Sequence, residues 1–332
     1  MSLVYRSKSI MWIAFTSFLL LLLSPLQAAA SWTEQTTNQD IHKLYQALDK
    51  IQPTNMASRL DYISAKFLGK PYLLGALGEG PDARFDQTPS YRTDAFDCDT
   101  YVTTVLALTL AKNEQSFKRC MKKIRYKGGK VDFITRNHFI SLDWNPNNQR
   151  QNFIKDITPT IKDQNNHPLA QIARALINKP SWYQHFSDQN IRLNSVNENE
   201  KALRLAALKQ AGTKLEKQWA EIPYIPLTAL FDSKANPNQF LFKQIPDGSI
   251  IEIVRPNWDL RELIGTNLNV SHLGFAFWKK GELFFRQASS QYGKAVEVPL
   301  IGYLKETLKS PTIKGINIEV VVPKQPLNEL CS

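Results

Sequence analysis

The apolar positions along the chain fall into three textures. From Ile10 to Leu23 nearly every residue is apolar, Thr16 and Ser17 excepted, and Ser24-Pro25 ends the run. Residues 38–50 then carry Ile41, Leu44, Tyr45 and Leu48 at helical spacing. A second helix is predicted over 55–68, with Asn55 as its N-cap and Gly69-Lys70-Pro71 as its stop. Gly75 to Thr93 reads as a loop rich in Gly, Pro and Asp. A strongly apolar helix then starts near Asp97 and holds Tyr101, Val102, Val105, Leu106, Leu108 and Leu110. The polar, turn-rich stretch 145–165 is an excursion, and 168–219 reads as mostly helical, most clearly over 198–219. From about residue 222 short β-like runs take over: 250–254, 273–278, 283–286 and 316–322. Helices first and strands later predict an α+β domain with a mainly antiparallel sheet.

The first texture is a processing signal. Arg6 and Lys8 precede the apolar run, and Ala28-Ala29-Ala30 follows it with the small residues a signal peptidase requires. The run is short for a span of about 20 residues, and Pro25 interrupts it. Residues 1–30 are therefore expected to be cleaved, leaving 31–332 as one domain with a helical insert at about 145–220. That domain is expected in the periplasm or outside the cell, with no stable membrane insertion.

Composition narrows the classes without choosing among them. With 43% hydrophobic and 21% charged residues the chain is ordinary globular material. It is no collagen, disordered tail or polytopic membrane protein. A formal net charge of +11 favours anionic partners. The basic residues are spread along the chain, and no nucleic-acid motif accompanies them, so nucleic acid is not an expected partner. Three cysteines make no disulfide framework. Cys120, on a basic helical stretch, and Cys331 are free to pair in an oxidising compartment or to remain thiols.

The third cysteine carries the chemistry. Asp94-Ala95-Phe96-Asp97-Cys98-Asp99-Thr100-Tyr101 puts Cys98 in the first turn of a buried helix. There the unpaired N–H groups and the helix dipole favour a thiolate and can donate to an oxyanion. Asp97 and Asp99 oppose this, so Cys98 needs a basic partner. His272 is the candidate. It lies on a predicted strand where His272, Gly274 and Ala276 share one face, and Leu273, Phe275 and Phe277 the other. A third group must orient the imidazole. If Lys280-Gly281 is a two-residue turn, Lys279 faces Glu282 and Phe277 faces Phe284. Gln287 then lies diagonal to His272 on the same face, with Ser289 directly opposite His272 as the alternate orienter. A three-residue loop reverses that parity.

The order Cys98, His272, Gln287 on helix, strand and next strand resembles the papain-like NlpC-type cysteine peptidases. Gly69-Lys70-Pro71-Tyr72, Asp247-Gly248-Ser249-Ile250-Ile251 and Ser271-His272-Leu273-Gly274 resemble segments of that superfamily. Within it the chain is more similar to the N-acetylmuramoyl-L-alanine amidase-like family. The similarity rests on Phe96-Asp97-Cys98-x-Thr100-Tyr101-Val102, Arg136-Asn137-His138-Phe139, Tyr224-Ile225-Pro226 and Arg286-Gln287-Ala288-Ser289. It runs in order from about Gly69 to Val321. The resemblance implies a nucleophile at a helix N-terminus packed on the sheet, with catalytic Cys98, His272 and Gln287. It also implies peptidoglycan or muropeptide as substrate. Tyr72, Asp97, Arg136, His138, Ser271 and Ser289 become substrate-binding candidates, with Arg136 and His138 placed to receive a carboxylate-bearing peptide. The chain departs from the family pattern at Ser249, where the family carries an acid, and at Thr103, often Glu. It departs again at Gln287, commonly His. No metal-ligand spacing such as His-Glu-x-x-His occurs, and no cofactor is expected.

Overall fold

The computed structural model describes residues 32–194, 197–327 and 331, so the expected signal segment, residues 1–30, lies outside the described residues. The unit that begins at Thr33 opens with four helices: α1 (Glu34–Ile51), α2 (Met56–Ala65), α3 (Cys98–Leu110) and α4 (Glu114–Arg125). Helix α1 starts earlier than its apolar periodicity, because Thr33 caps it by accepting the Thr36 N–H at 3.1 Å. Asn55 caps α2 as predicted, accepting from Ser58 N at 2.9 Å, though the helix stops at Ala65. Helix α3 has no polar face. Every residue from Thr100 to Leu110 is buried, so it is the central rod of the helical layer.

The strands are β1 (Ile154–Asp156), β2 (Gln171–Asn178), β3 (Lys217–Pro226), β4 (Ser249–Leu260), β5 (Thr266–Lys279), β6 (Glu282–Ser289), β7 (Lys294–Pro299) and β8 (Gly315–Val321). They form one sheet in the order β2-β3-β8-β4-β5-β6-β7, with β1 also pairing β8. All of these pairings are antiparallel. One face packs on α1–α4 through Ile250, Leu273, Phe275 and Phe277. The other, through Ile251, Ile253, Ala276 and Phe285, packs on α11 (Leu300–Thr307). The two-face alternation predicted for β5 is therefore present, and the mixed helix and antiparallel-sheet class with it.

The stretch expected to be mostly helical over 168–219 is not. Its helices are α6 (Lys179–Gln184) and α7 (Glu198–Thr213), whereas residues 171–178 and 217–226 are paired strands. Alanine hides the pattern: Ala173, Ala175 and Ile177 are buried, while Ile172 and Arg174 point outward. That is a period of two written in a helix former's composition. The polar run after 145 contains α5 (Asn145–Arg150), whose Asn147 and Asn148 side chains are buried. They donate to the Lys123 carbonyl at 2.9 Å and the Trp144 carbonyl at 2.8 Å. Since β1 follows and pairs with β8, this stretch is woven into the main sheet.

Candidate active site

Helix α3 begins at Cys98 because Asp97 and Thr100 form a reciprocal cap. Asp97 Oδ1 accepts the Thr100 N–H at 2.8 Å, and Thr100 Oγ1 accepts the Asp97 N–H at 2.9 Å. The other Asp97 oxygen accepts the Gly75 N–H at 2.8 Å, which ties the preceding loop to the helix end. The Gly69–Tyr72 segment is threaded beside this turn. Gly69 N donates to Ala295 O, Tyr72 N to Gly293 O, and Phe96 N to Pro71 O, at 2.8, 2.8 and 3.0 Å. Tyr72 is thereby fixed next to Cys98. Burial, with Cys98 and Asp97 beside it, pushes its hydroxyl up to about 12, so it stays a proton donor.

Cys98 is a free, half-buried thiol. Burial raises its pKa most, followed by Asp97 and Asp99, while the N–H groups of Asp99 and Leu273 pull the other way. The contest between helix end and carboxylates is thus won by burial and the carboxylates, and the resting sulfur is protonated. The Leu273 N–H at the sulfur brings β5, and with it His272, to the Cys98 end of α3.

His272 and Gln287 meet through the predicted register. Lys280 and Gly281 have φ of 51° and 82°, a two-residue turn with both residues left-handed. Lys279 pairs with Glu282, and Phe277 with Phe284. Gln287 Oε1 contacts His272 Nε2. A side-chain carbonyl can only accept, so Nε2 carries the proton and Nδ1 is the basic nitrogen. Burial lowers the imidazole to about 4 and the Gln287 bond opposes this. Ser289 is turned to another task, its hydroxyl accepting Tyr292 N at 3.4 Å, and Ser271 donates to the Ile253 carbonyl at 3.4 Å.

Arg136 and His138 line a cavity of about 130 Å³ beside the first turn of α3, together with Asp97, Asp99 and Trp144. Arg136 is already paired there. It donates to Glu79 at 2.6 Å and Asp86 at 3.0 Å and lies over the Phe133 ring. His138 Nε2 donates to the Phe133 carbonyl at 2.7 Å, and its ring packs against Phe133 and Trp182. Burial and then Arg136 drive that imidazole well below its ordinary pKa. Both side chains therefore hold the cavity wall. Asp99 reaches the same cavity with its carboxyl raised to about 7 by burial and Asp97. Tyr303 of α11 has its ring centroid 6.4 Å from that of His272 and lies within electrostatic reach of Cys98. Nothing in its local pattern marks it. Of the two states open to Cys120 and Cys331, the structure contains the disulfide. Arg286, one residue before Gln287, is fully buried and binds Glu297 at 2.7 Å and Ser64 at 2.6 Å. It anchors β6 at the register the site needs.

A family model described as N-acetylmuramoyl-L-alanine amidase-like matches residues 62–313. The crystal structure of a Legionella pneumophila protein, 56% identical, superposes with a TM-score of 0.86 over 90% of this chain and 98% of its own. An N-acetylmuramoyl-L-alanine amidase from Bacteroides uniformis, 27% identical, superposes with a TM-score of 0.57 over 81% of this chain and 99% of its own. No curated protein matches the chain. The family match spans helix α3, the β5–β6 hairpin and most of the sheet, and the chain belongs to the N-acetylmuramoyl-L-alanine amidase-like family.

Proposed function

We propose that the chain is an exported cysteine amidase of the papain-like NlpC type. Its bond is the amide between the lactyl group of N-acetylmuramic acid and L-alanine, in peptidoglycan or muropeptides. The observation that carries the mechanism is the His272–Gln287 contact, set where Leu273 N–H meets the Cys98 sulfur at a helix N-terminus. The family and the name of the Bacteroides uniformis relative support the bond. Residues 1–30 and the disulfide, a bond of oxidising compartments, support a periplasmic or secreted location.

The resting pair is a neutral thiol and a neutral imidazole. As Cys98 Sγ attacks the lactyl carbonyl carbon, its proton passes to His272 Nδ1 and the carbonyl π electrons move onto oxygen. N–H groups at the start of α3 hold that oxyanion. On collapse the C–N bond breaks, and His272 returns the proton to the departing alanine amine, leaving a lactyl thioester on Cys98. Water, deprotonated by the same nitrogen, adds to the thioester and releases the lactyl carboxylic acid and the thiol. Gln287 keeps the tautomer and ring orientation through both halves.

The test is mass-spectrometric product analysis of a purified muropeptide incubated with residues 31–332 and with Cys98→Ala. Intact stem peptide plus free sugar, lost in the variant, is the expected result. A Cys98-dependent cut between D-glutamate and diaminopimelate would overturn the bond and leave the mechanism. Binding without turnover by the wild type would overturn both and make the chain a glycopeptide-binding protein.

A further inference from the structure

His272 stands in an aromatic enclosure that the proposed mechanism does not use. Phe285, paired with Ala276 across β5 and β6, is edge-on to the imidazole, with centroids 5.9 Å apart and planes at 83°. A Cβ at Gly274 would lie 2.7 Å from Phe285 Cε2, so this glycine makes room for the ring. Tyr303 closes another side, its centroid 6.4 Å from the imidazole at 36° and 5.0 Å from Phe285. It projects from α11, whose Leu300 and Leu304 are completely buried, so the ring rides on a fixed element. Burial first, then the charges of Cys98 and Tyr292, raises the Tyr303 hydroxyl to about 12, so Cys98 lies within electrostatic reach of it.

We propose that Tyr303 is a positioning residue whose ring, braced on Phe285, holds the His272 imidazole in the plane that presents Nδ1 to Cys98. The proposal rests on the Cys98–His272 reading above. An imidazole held at one nitrogen by Gln287 can still swing about that bond, and a ring on its flank removes this freedom. The same ring keeps water from the imidazole. The groups facing His272 are Gln287 and Phe285 from β6 and Tyr303 from α11, while Cys98 of α3 meets the N–H of the next residue, Leu273. No carboxylate or ammonium side chain contributes to the lowering of its pKa. The acid limb of activity therefore reports burial of the ring, and Tyr303 supplies part of that burial.

The experiment compares wild type, Tyr303→Phe, Tyr303→Leu and Tyr303→Ala, each verified as folded by thermal melting. Two readouts are taken against pH: muropeptide turnover, and alkylation by iodoacetamide of Cys98, the one cysteine outside the disulfide. Tyr303→Phe should match wild type within about threefold. Tyr303→Leu and Tyr303→Ala should lose kcat by about 10- to 100-fold at unchanged KM, as misorientation of a base does. Their acid limb should move up by about one to two pH units, toward the ordinary imidazole value, in both readouts. Tyr303→Leu preserves apolar packing if the alanine variant fails to fold. A rise in KM with kcat intact would make Tyr303 a substrate contact, and an unshifted acid limb would make it packing alone. Equal losses in Tyr303→Phe and Tyr303→Ala would place the effect on the hydroxyl. Each of these three results overturns the proposal while the Cys98 reading stands. Turnover that survives Cys98→Ala would overturn that reading, and this proposal with it.

Discussion

Glutamine at position 252 should make the protein more stable as pH rises. Glu252 is 0% exposed on β4, opposite Leu273 of β5 and Asn317 of β8. One carboxyl oxygen accepts from Asn145 Nδ2 at 3.0 Å. Burial drives its pKa up to about 8, Asn145 lowers it, and Asp156 and Asp99 raise it further. Nearby Glu319 is pushed up to about 9 by burial, then Glu252 and Asp156. At neutral pH the folded protein thus holds Glu252 as a neutral acid, while the unfolded chain ionises it near 4.5. Between those values the folded state binds the extra proton, so stability falls with rising pH and levels off above about 8. At pH 7 roughly 2.5 units of mismatch at ~1.4 kcal/mol per unit amount to about 3 kcal/mol for this one group. Glu252→Gln keeps the acceptor for Asn145 and cannot ionise. Its advantage should be near zero at pH 4.5, about 3 kcal/mol at pH 7 and larger at pH 8.5. Urea unfolding of both proteins at those three values measures it. A difference constant with pH, or one that turns against the glutamine as pH rises, would refute the reasoning. Either would mean that the folded protein carries Glu252 ionised.

Three further outcomes follow from the geometry. Reducing Cys120–Cys331, which closes a separation of 211 residues, should cost about 2–5 kcal/mol and raise the urea m-value, because the bond acts mainly on the unfolded chain. Melts with and without reductant in a Cys98→Ala background check this. Arg136→Ala leaves the buried Glu79 without a cationic partner, while Asp86 keeps Arg192, and should destabilise by about 3 kcal/mol; if it instead raises KM and leaves the melt unchanged, Arg136 is a substrate contact. Gln287→Ala should lower kcat about 10- to 100-fold at unchanged KM by releasing the imidazole, and steady-state kinetics decide between that and a binding defect.

The site was legible in proportion to how local its determinants are. The start of α3 is written in Asp97 and Thr100, three residues apart, with an unbroken apolar run behind them. The pairing of His272 with Gln287 hangs on the parity of one turn, and Lys280-Gly281 is short enough to show it. Arg136 looked like a ligand for carboxylates because its partners, Glu79 and Asp86, lie more than forty residues upstream in a loop without periodicity. Strand β2 was hidden by alanine, whose helix preference is overridden by the pairing with β3. Glu252 sits in an apolar run buried on both faces, where alternation says nothing about which residue must stay uncharged. Tyr303 reaches the site from α11, a short amphipathic helix after β7, and only the folded chain brings it to His272.

The disulfide also sets an order of events. Cys120 lies on α4, packed against the helix that begins at Cys98, yet its partner is residue 331. A chain made from its N-terminus can fold α3 and α4 early, but the bond on α4 cannot close until residue 331 has been delivered. An arrested or clipped chain lacking Cys331 would keep a second thiol, on a helix beside the one bearing Cys98. The bond thus reports that the chain extends to residue 331, and counting free thiols distinguishes such a molecule from a fragment that stops short of Cys331 before any activity is measured.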